Sequence, residues 1–555
     1  MHGNSVVSGT NPAGPASVLT PARIASAMTC FLYLGLAGRA IRYALKFPLW
    51  EDECFLCVNF IDRSFAELLL PLTYHQVAPP LFLWLERAAV LLLGYSEWSL
   101  RLLPFVASIA ALFLFRYLAR QLLSPLGQLV GFGMFAIAYP GIRYAAEAKQ
   151  YSTDLFAALL MMSLCVAWFR TRQIGWLIGL AVLVAPLLWL SYPAAFVAGG
   201  ASLAIGWTLV AQGLGKVPVR DGLAWLGMNF GILIGFGTLM GVIRRQSAAE
   251  LGFMTDYWQN TFPPLAEPLK LLVWFIQAHT SEMMAWPVGG ATGASTFTGI
   301  LFAIGVWQLV RSRNLFWCFL LLGPLVLNLV AAGLERYPYG GHQKFSMYAG
   351  PMICLLAGWG AASWNGRTAV SWPGLARRAA VATIGCLIFL GMATIARDVA
   401  RPYKTRSDER ARAFAQWFWF NAEGDGEVRV VDGFGGEAFS PGADSELTWT
   451  AMFLCNRAIY VPAQAPAIPA HLESPKSAER LRCVVYRDPR FEFSEVARDA
   501  WLEKMDETHR LVARESYPFI RYEKNERDFA WVDYLDVYTF QEAPAARIAA
   551  HAGAR

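Results

Sequence analysis

The chain has 555 residues, 56% of them hydrophobic and only 16% charged, with a mean hydropathy of +0.37 and a formal net charge of +6. A soluble protein carries roughly a quarter charged residues, so a soluble enzyme is excluded. The 14% aromatic share excludes a disordered chain, and 47 Gly with 30 Pro in no three-residue period exclude collagen. Charge is unevenly placed: about 22 basic and 26 acidic residues lie from Arg397 onward, against about 25 and 15 before it. A membrane block, 1–396, is thus followed by a soluble tail, 397–555. Basic residues in such a chain report orientation, and no nucleic-acid partner is expected.

The polar segment before Pro21 is rich in Gly, Ser and Pro and lacks a basic n-region, so it is expected to be a flexible cytoplasmic start rather than a cleaved signal. Apolar runs of bilayer length then begin near Ile24, Leu102, Leu126, Leu155, Ile174, Tyr192, Leu223, Ser295, Leu315, Ser346 and Ala379. They predict an α-helical polytopic membrane protein of about eleven transmembrane helices. With a cytoplasmic N-terminus, the inside loops carry Arg116, Arg120, Arg170, Arg172, Lys216, Arg220, Arg311, Arg313, Arg367, Arg377 and Arg378 against the single acid Asp221, a positive-inside pattern. An odd number of spans puts the tail on the outer side.

Two outward loops exceed simple connectors. The first, Lys46 to about Arg101, contains the amphipathic stretches Phe55 to Leu72 and Pro80 to Leu93, expected as helices on the bilayer surface. The second, Arg244 to about Ala294, carries Pro268 to Ala278 with Lys270 and, just beyond, His279. The tail reads as a small α/β domain, with strands at Val428–Val431, Ala458–Val461, Cys483–Tyr486 and Val537–Phe540 and a helix over Ser494–Met505. Asp432-Gly433-Phe434-Gly435-Gly436 lacks dinucleotide-binding spacing and reads as a turn. Nine cysteines form no metal framework. Cys54-x-x-Cys57 lies outside any βαβ unit, and Cys455 with Cys483 is a pairing open to an oxidising compartment.

Three constellations carry chemistry. Glu51, Asp52 and Glu53 sit where the first span leaves the membrane, either as a solvated interface cluster or as a source of a base, since adjacent carboxylates raise one another's pKa. Arg143, Glu147, Tyr151 and Asp154 share one face if their segment is a continuous helix, with Lys149 between them. The plain alternative is an Arg143–Glu147 surface pair, against which stands an acid, Asp154, entering an apolar run. Arg336-Tyr337-Pro338-Tyr339-Gly340-Gly341-His342-Gln343-Lys344 breaks any helix and gathers positive charge suited to a lipid phosphate, or else forms a turn anchored by interfacial aromatics. Glu97 and Arg101, four apart, are expected as a structural ion pair. Arg39 and Arg42 snorkel or face a cavity, and His75 is a hydrogen-bonding residue or a ligand beside the acids.

Asp52-Glu53 after the first span, Pro79-Pro80-Leu81-Phe82, Gly94-Tyr95-Ser96-Glu97 with Arg101, and Arg336-Tyr337-Pro338-Tyr339-Gly340-Gly341 together resemble the GT-C glycosyltransferase superfamily. The nearer likeness is to the family 39 type, which includes protein O-mannosyltransferases and lipid A aminoarabinose transferases, and it covers the first 396 residues. The resemblance implies a polyprenyl-phosphate sugar donor and inverting transfer on the outer face of a bacterial inner membrane. The acceptor hydroxyl would belong to a glycolipid, a glycan or a protein. It implies Asp52 as the base with Glu53 beside it, a further acid in Glu147 or Asp154, and substrate contacts from Arg336, Tyr337, His342, Lys344, Arg143, Lys149, Tyr151 and His75. A divalent metal, present in some relatives, is left open. The tail does not look like the β-trefoil inserts of the eukaryotic protein mannosyltransferases, which favours an envelope glycolipid or glycan as acceptor. The rival class is a transporter or lipid flippase, which predicts internal repeats and midplane polar residues that the sequence does not show. The enzyme reading needs Asp52, Glu147 and Arg336 to meet in one outward cavity.

Overall fold

The computed structural model describes residues 21–213, 217–246, 258–290, 293, 295–371, 373–400, 405–420, 427–432, 444–460, 479–487, 492–522 and 529–543. The segment before Pro21 and the turn following Asp432 lie outside them.

Every one of the eleven apolar runs is helical. The helices are α1 (Pro21–Ala44), α4 (Leu102–Leu122), α5 (Pro125–Ala136), α7 (Tyr151–Thr171), α8 (Ile174–Leu190), α9 (Ala194–Ala211) and α10 (Val219–Gln246), then α12 (Thr296–Arg311), α13 (Leu315–Gly333), α14 (Gly350–Ser371) and α15 (Pro373–Ala400). Eight are long and apolar enough to cross a bilayer; α8 and α12 are shorter, and α5 forms a span only together with the segment Tyr139–Ala146, from which a 47° bend separates it. The chain is an integral membrane protein. Between the spans lie α2 (Glu51–Cys57), α3 (Pro80–Leu93), α6 (Tyr139–Arg143) and α11 (Pro268–Ala278). The stretch Pro80–Leu93 is helical as expected, the apolar run Pro268–Ala278 is helical too, and α11 exposes Leu269, Leu272, Val273 and Ile276. The stretch from Phe55 to Leu72 is not one helix: it continues α2 only to Phe60 and then breaks into short turns.

The bend after α5 has a specific cause. Pro140 supplies no N–H, so the carbonyls at the end of α5 need other donors. Arg39 provides one, its Nη1 donating to the carbonyls of Ala136 and of Gly35 at 2.9 Å each, while its Nε donates to Ser108 Oγ at 2.8 Å. Ser108 Oγ in turn donates to the Gly141 carbonyl at 3.1 Å. Arg39 therefore neither snorkels nor faces a cavity; it caps a broken helix. Arg42, one turn on, is ion-paired with Asp398 at the end of α15.

Glycines let α14 run in contact with helices on two sides. A Cβ on Gly305 of α12 would lie 2.0 Å from the Leu356 carbonyl oxygen, and one on Gly360 2.0 Å from that of Leu301. On the other side, a Cβ on Gly131 of α5 would meet the Cys354 carbonyl at 2.8 Å and one on Gly358 the Gly127 carbonyl at 2.6 Å. Small residues that let backbones approach are how helices associate where lipid removes the hydrophobic drive.

The tail comprises α16 (Thr405–Phe420), β1 (Glu427–Asp432), α17 (Asp444–Tyr460), β2 (Arg480–Arg487), α18 (Glu492–Asp506), β3 (His509–Tyr522) and β4 (Phe529–Glu542). The sheet order is β1-β2-β4-β3, with β1 and β2 parallel and the other pairs antiparallel. Leu481, Cys483 and Val485 alternate inward on β2 and meet Tyr538, Phe540 and Met505 in a small core. Two expectations fail here. Ala458–Tyr460 closes a helix instead of forming a strand, because α17 lays its buried residues Ala451, Met452 and Cys455 on the main core at helical spacing. The long β3 went unseen since its residues are largely exposed and carry no apolar alternation. Cys455 and Cys483 belong to separate cores, so the pairing left open between them is not made.

We expect Gly305→Ala to destabilise the bundle by about 1–3 kcal/mol, the cost of overpacking a tight contact. Gly237→Ala, with nothing within 4 Å of the added methyl, should be neutral or slightly stabilising. Thermal unfolding of both variants in the same detergent checks this, and equal midpoints would refute it.

Candidate active site

Three inter-helix segments converge on the first turn of α2. Glu53 anchors the convergence. Its Oε1 accepts Arg101 Nε and the Ala148 N–H, each at 2.7 Å, and its Oε2 accepts Arg101 Nη2 at 2.5 Å and the Trp50 N–H at 3.2 Å. Arg101 also donates to the carbonyls of Phe47 at 2.6 Å and Pro48 at 3.0 Å. Both side chains are buried, and every oxygen of Glu53 is occupied. The residue is therefore a fixed post rather than an accessible base.

Asp52, one position earlier, points elsewhere. Its side chain keeps 22% exposure, and it faces Lys149 Nζ at 3.0 Å, Lys344 Nζ at 3.9 Å and Tyr151 Oη at 3.5 Å. Lys149 is itself buried and donates to Gln76 Oε1 at 2.7 Å. One partly open carboxylate thus meets two ammonium groups, one from the loop before α7 and one from the loop before α14. Lys344 also lies 4.5 Å from the Trp258 ring centroid and 5.5 Å from that of Phe345, a cation–π setting that holds the ammonium in place.

The segment Arg143 to Asp154 is not the continuous helix expected. It passes through α6 and a 3₁₀ turn at Tyr144–Ala146, Glu147 is extended at φ −132° and ψ 126°, and α7 starts only at Tyr151. The break is what presents the Ala148 N–H to Glu53 and Lys149 to Asp52. Arg143 and Glu147 are nevertheless paired, Nε to Oε2 at 3.2 Å, but buried rather than at the surface. Burial raises the Glu147 carboxyl pKa; Arg143 opposes this, and the charges of Glu53 and Asp52 add to it. Glu147 Oε1 has no hydrogen-bond partner. Asp154 stands apart, buried in α7 beside Ser191, with Oδ1 unpartnered.

The third constellation divides. Lys344 reaches Asp52, whereas Arg336 is exposed, its backbone N–H closing a turn on Ala331 at 2.9 Å and its guanidinium joining no member of the cluster. Tyr337 packs edge-on to Phe196, and His342 lies 3.7 Å from Glu282 of the second long loop. Tyr339 Oη meets His279 Nε2 at 3.1 Å, while Lys270 pairs with Glu267 at the surface. His75 lies on the short turn Thr73–His75, next to Gln76; its side chain is outside the described residues. A small cavity lies beside the acids, lined by Arg42, Trp50, Glu53, Arg101, Glu147 and the tail's Asp408. Neither Asp52 nor Arg336 is among its walls, so the expected meeting of Asp52, Glu147 and Arg336 in one cavity does not occur; the cations that meet Asp52 are Lys149 and Lys344.

The expected Glu97–Arg101 pair does not form. Glu97 precedes the helix, in a turn, and instead meets Lys46 at 3.5 Å, Arg412 of α16 at 3.5 Å and Tyr460 Oη of α17 at 3.2 Å. Gln76 and Glu86 were passed over in the sequence. Glu86 is fully buried on α3 with neither carboxyl oxygen hydrogen-bonded; burial, with the Glu53 charge adding, pushes its carboxyl well above the usual range. Its apolar helical setting gave no sign of this. A divalent cation at Asp52 would share that carboxylate with two ammonium groups. Among the described residues no three His, Cys, Asp or Glu side chains gather to hold one. The residues at Asp52 do not fit a metal.

No family model and no curated protein matches this sequence. Among solved structures it is similar to ArnT from Cupriavidus metallidurans bound to undecaprenyl phosphate, at 13% identity and a TM-score of 0.53, over 92% of this chain and 97% of that one. The apo state of the same protein matches at 12% identity and a TM-score of 0.50, over 93% and 98%. The oligosaccharyltransferase AglB from Archaeoglobus fulgidus, in complex with an inhibitory peptide and a dolichol-phosphate, gives a TM-score of 0.46 at 10% identity, over 72% and 58%. The likeness to ArnT runs over nearly the whole of both chains, tail included, and it is a likeness of fold: this protein has the fold of the GT-C glycosyltransferase superfamily.

Proposed function

We propose that the chain is a membrane glycosyltransferase that moves a sugar from a polyprenyl-phosphate donor to an acceptor hydroxyl, with Asp52 as the base. The observation that carries this reading is the meeting of a partly exposed carboxylate with Lys149 and Lys344 from two other loops, in a fold shared with a protein crystallised with undecaprenyl phosphate. In this reading the N-terminus is cytoplasmic, the site and the 397–555 tail face outward across a bacterial inner membrane, and the acceptor is a glycolipid or glycan of the envelope.

The chemistry is an in-line displacement. The acceptor oxygen attacks the anomeric carbon, its proton passes to Asp52, and the bond to phosphate breaks on the opposite face, which inverts the configuration. The departing polyprenyl phosphate gains charge, and Lys149 and Lys344 stabilise it. Phosphate leaves readily, so no strong general acid is required. Glu53 holds the backbone at Trp50 and at Ala148 in register without touching substrate. Tyr151 orients the Asp52 carboxylate, and Glu147, paired with Arg143, lines the neighbouring cavity. Arg336, exposed, contributes no more than long-range attraction.

Transfer from a labelled polyprenyl-phosphate sugar tests the base. Asp52→Asn should lose about 10²–10⁴-fold in turnover, the usual worth of a positioned base, with an unchanged thermal midpoint. Glu53→Ala should instead unfold early, by about 3–5 kcal/mol, since it leaves Arg101 buried and uncompensated. Equal turnover in wild type and Asp52→Asn would overturn the assignment.

A second measurement separates the cations. Lys344→Met should lower kcat/KM by about 10- to 100-fold, corresponding to a charge-assisted hydrogen bond worth roughly 1.5–3 kcal/mol. Arg336→Ala should change it little. The reverse ranking would place the donor phosphate at the Arg336 turn and away from Asp52.

A further inference from the structure

Three of the nine cysteines meet where the tail docks. Cys54 and Cys57 lie on α2, three apart and so on one helical face, directly after the two acids. Cys455 comes from α17, which packs against α2. Its Sγ lies 3.6 Å from the Cys54 carbonyl oxygen across 401 residues of sequence, and 3.2 Å from Tyr95 Oη, which is itself 3.0 Å from the Cys57 carbonyl. Cys54 Sγ approaches the Leu49 carbonyl at 3.6 Å. All three side chains are fully buried. Buried thiols are commonly small hydrophobes, but these close the joint between the tail and the helix that carries Asp52. Glu97, a few residues from Tyr95, ties the same joint through Arg412 and Tyr460.

We propose that Cys54 and Cys455 are a latent disulfide pair whose oxidation staples the tail helix α17 to the acid-bearing helix α2. The two thiols give up two protons and two electrons to the disulfide of a thiol oxidant, which leaves as two thiols, and one S–S bond forms between the two Sγ atoms. Cys57, on the same face, is the thiol able to take over the bond by exchange. The oxidising compartment this requires rests on the outward-tail reading above. Burial, reinforced by the neighbouring thiols and Glu53, pushes the Cys54 and Cys57 thiols well above their usual range. Since the thiolate is the reactive form, the docked pair is slow to react. Oxidation therefore proceeds slowly at the docked joint, the arrangement that brings α17 against α2, and the bond, once made, is sheltered from reductants.

The test uses the full-length protein purified in detergent after thiols are blocked with N-ethylmaleimide at lysis, and a second sample reduced, then treated with diamide under mild warming. Peptide mapping without reductant should show a Cys54–Cys455 link in the diamide sample. The link should be absent in Cys455→Ser, retained in Cys57→Ser and Cys483→Ser, and accompanied by a higher unfolding midpoint that dithiothreitol reverses. No link after diamide, a link from Cys455 to Cys483, or persistence of the midpoint shift in Cys54→Ser would overturn the proposal. Diamide acts in either compartment, so that arm judges the thiol pair alone. Labelling of a cysteine introduced at an exposed tail position, Val512→Cys, by an impermeant maleimide in intact cells judges its side of the membrane, and the Asp52→Asn assay judges the transferase reading.

Discussion

The arrangement of the candidate site depends on the buried Glu53–Arg101 pair. Removing two charges from water costs several kcal/mol per ion, and such a pair holds only where every remaining donor and acceptor is satisfied. Here the satisfaction comes from backbone: Ala148 and Trp50 give their N–H groups to the carboxylate, and Phe47 and Pro48 take those of the guanidinium. Three stretches of chain, around Glu53, Arg101 and Ala148, are therefore locked to one another by groups that cannot move apart without leaving a charge stranded. Asp52 and Lys149 are next to residues locked in this way, so their separation is set before any ligand arrives.

That dependence explains an inversion in how neighbouring acids are used. Glu51, Asp52 and Glu53 look equivalent in sequence, three carboxylates at a membrane boundary. Helix geometry separates them: consecutive residues project about 100° apart, so when Glu53 turns inward to Arg101, Asp52 is directed along another face. The inward acid gives up accessibility and becomes structural. The acid beside it keeps a partly open carboxylate against two ammonium groups, Lys149 and Lys344.

The membrane architecture was legible because bilayer length and apolar composition are local properties, and each of the eleven runs is a helix. So was the helix at Pro80–Leu93, whereas the residues alone did not tell Asp52 from Glu51 and Glu53. Partnerships were not legible. The i, i+4 rule assigned Arg101 to Glu97, but that rule presupposes a helix, and Glu97 sits in a turn where the rule has no force. The same presumption joined Arg143 to Asp154 in one helix; Glu147 in extended conformation breaks it, and Asp154 falls away from the cluster. Arg336, His342 and Lys344 were grouped by charge alone; past the left-handed glycines Gly340 and Gly341, at φ 68° and 69°, it is Lys344 that reaches Asp52 while Arg336 stays exposed.

The tail shows the same limit from another side. Its strands at Val428, Cys483 and Val537 alternate in the ordinary way and were found; Ala458–Val461 has strand-like composition but is helical up to Tyr460. What decides is tertiary: Cys455 and Tyr460, five residues apart, must reach Tyr95 and Glu97, two residues apart in a turn of the first outward loop. Five residues of helix rise about 7.5 Å, whereas five of strand extend roughly 17 Å. Only the helix brings both side chains to so short a stretch of partner. The docking of the tail on the acid-bearing segment thus selects the secondary structure of α17, and a local reading of composition has no access to that choice.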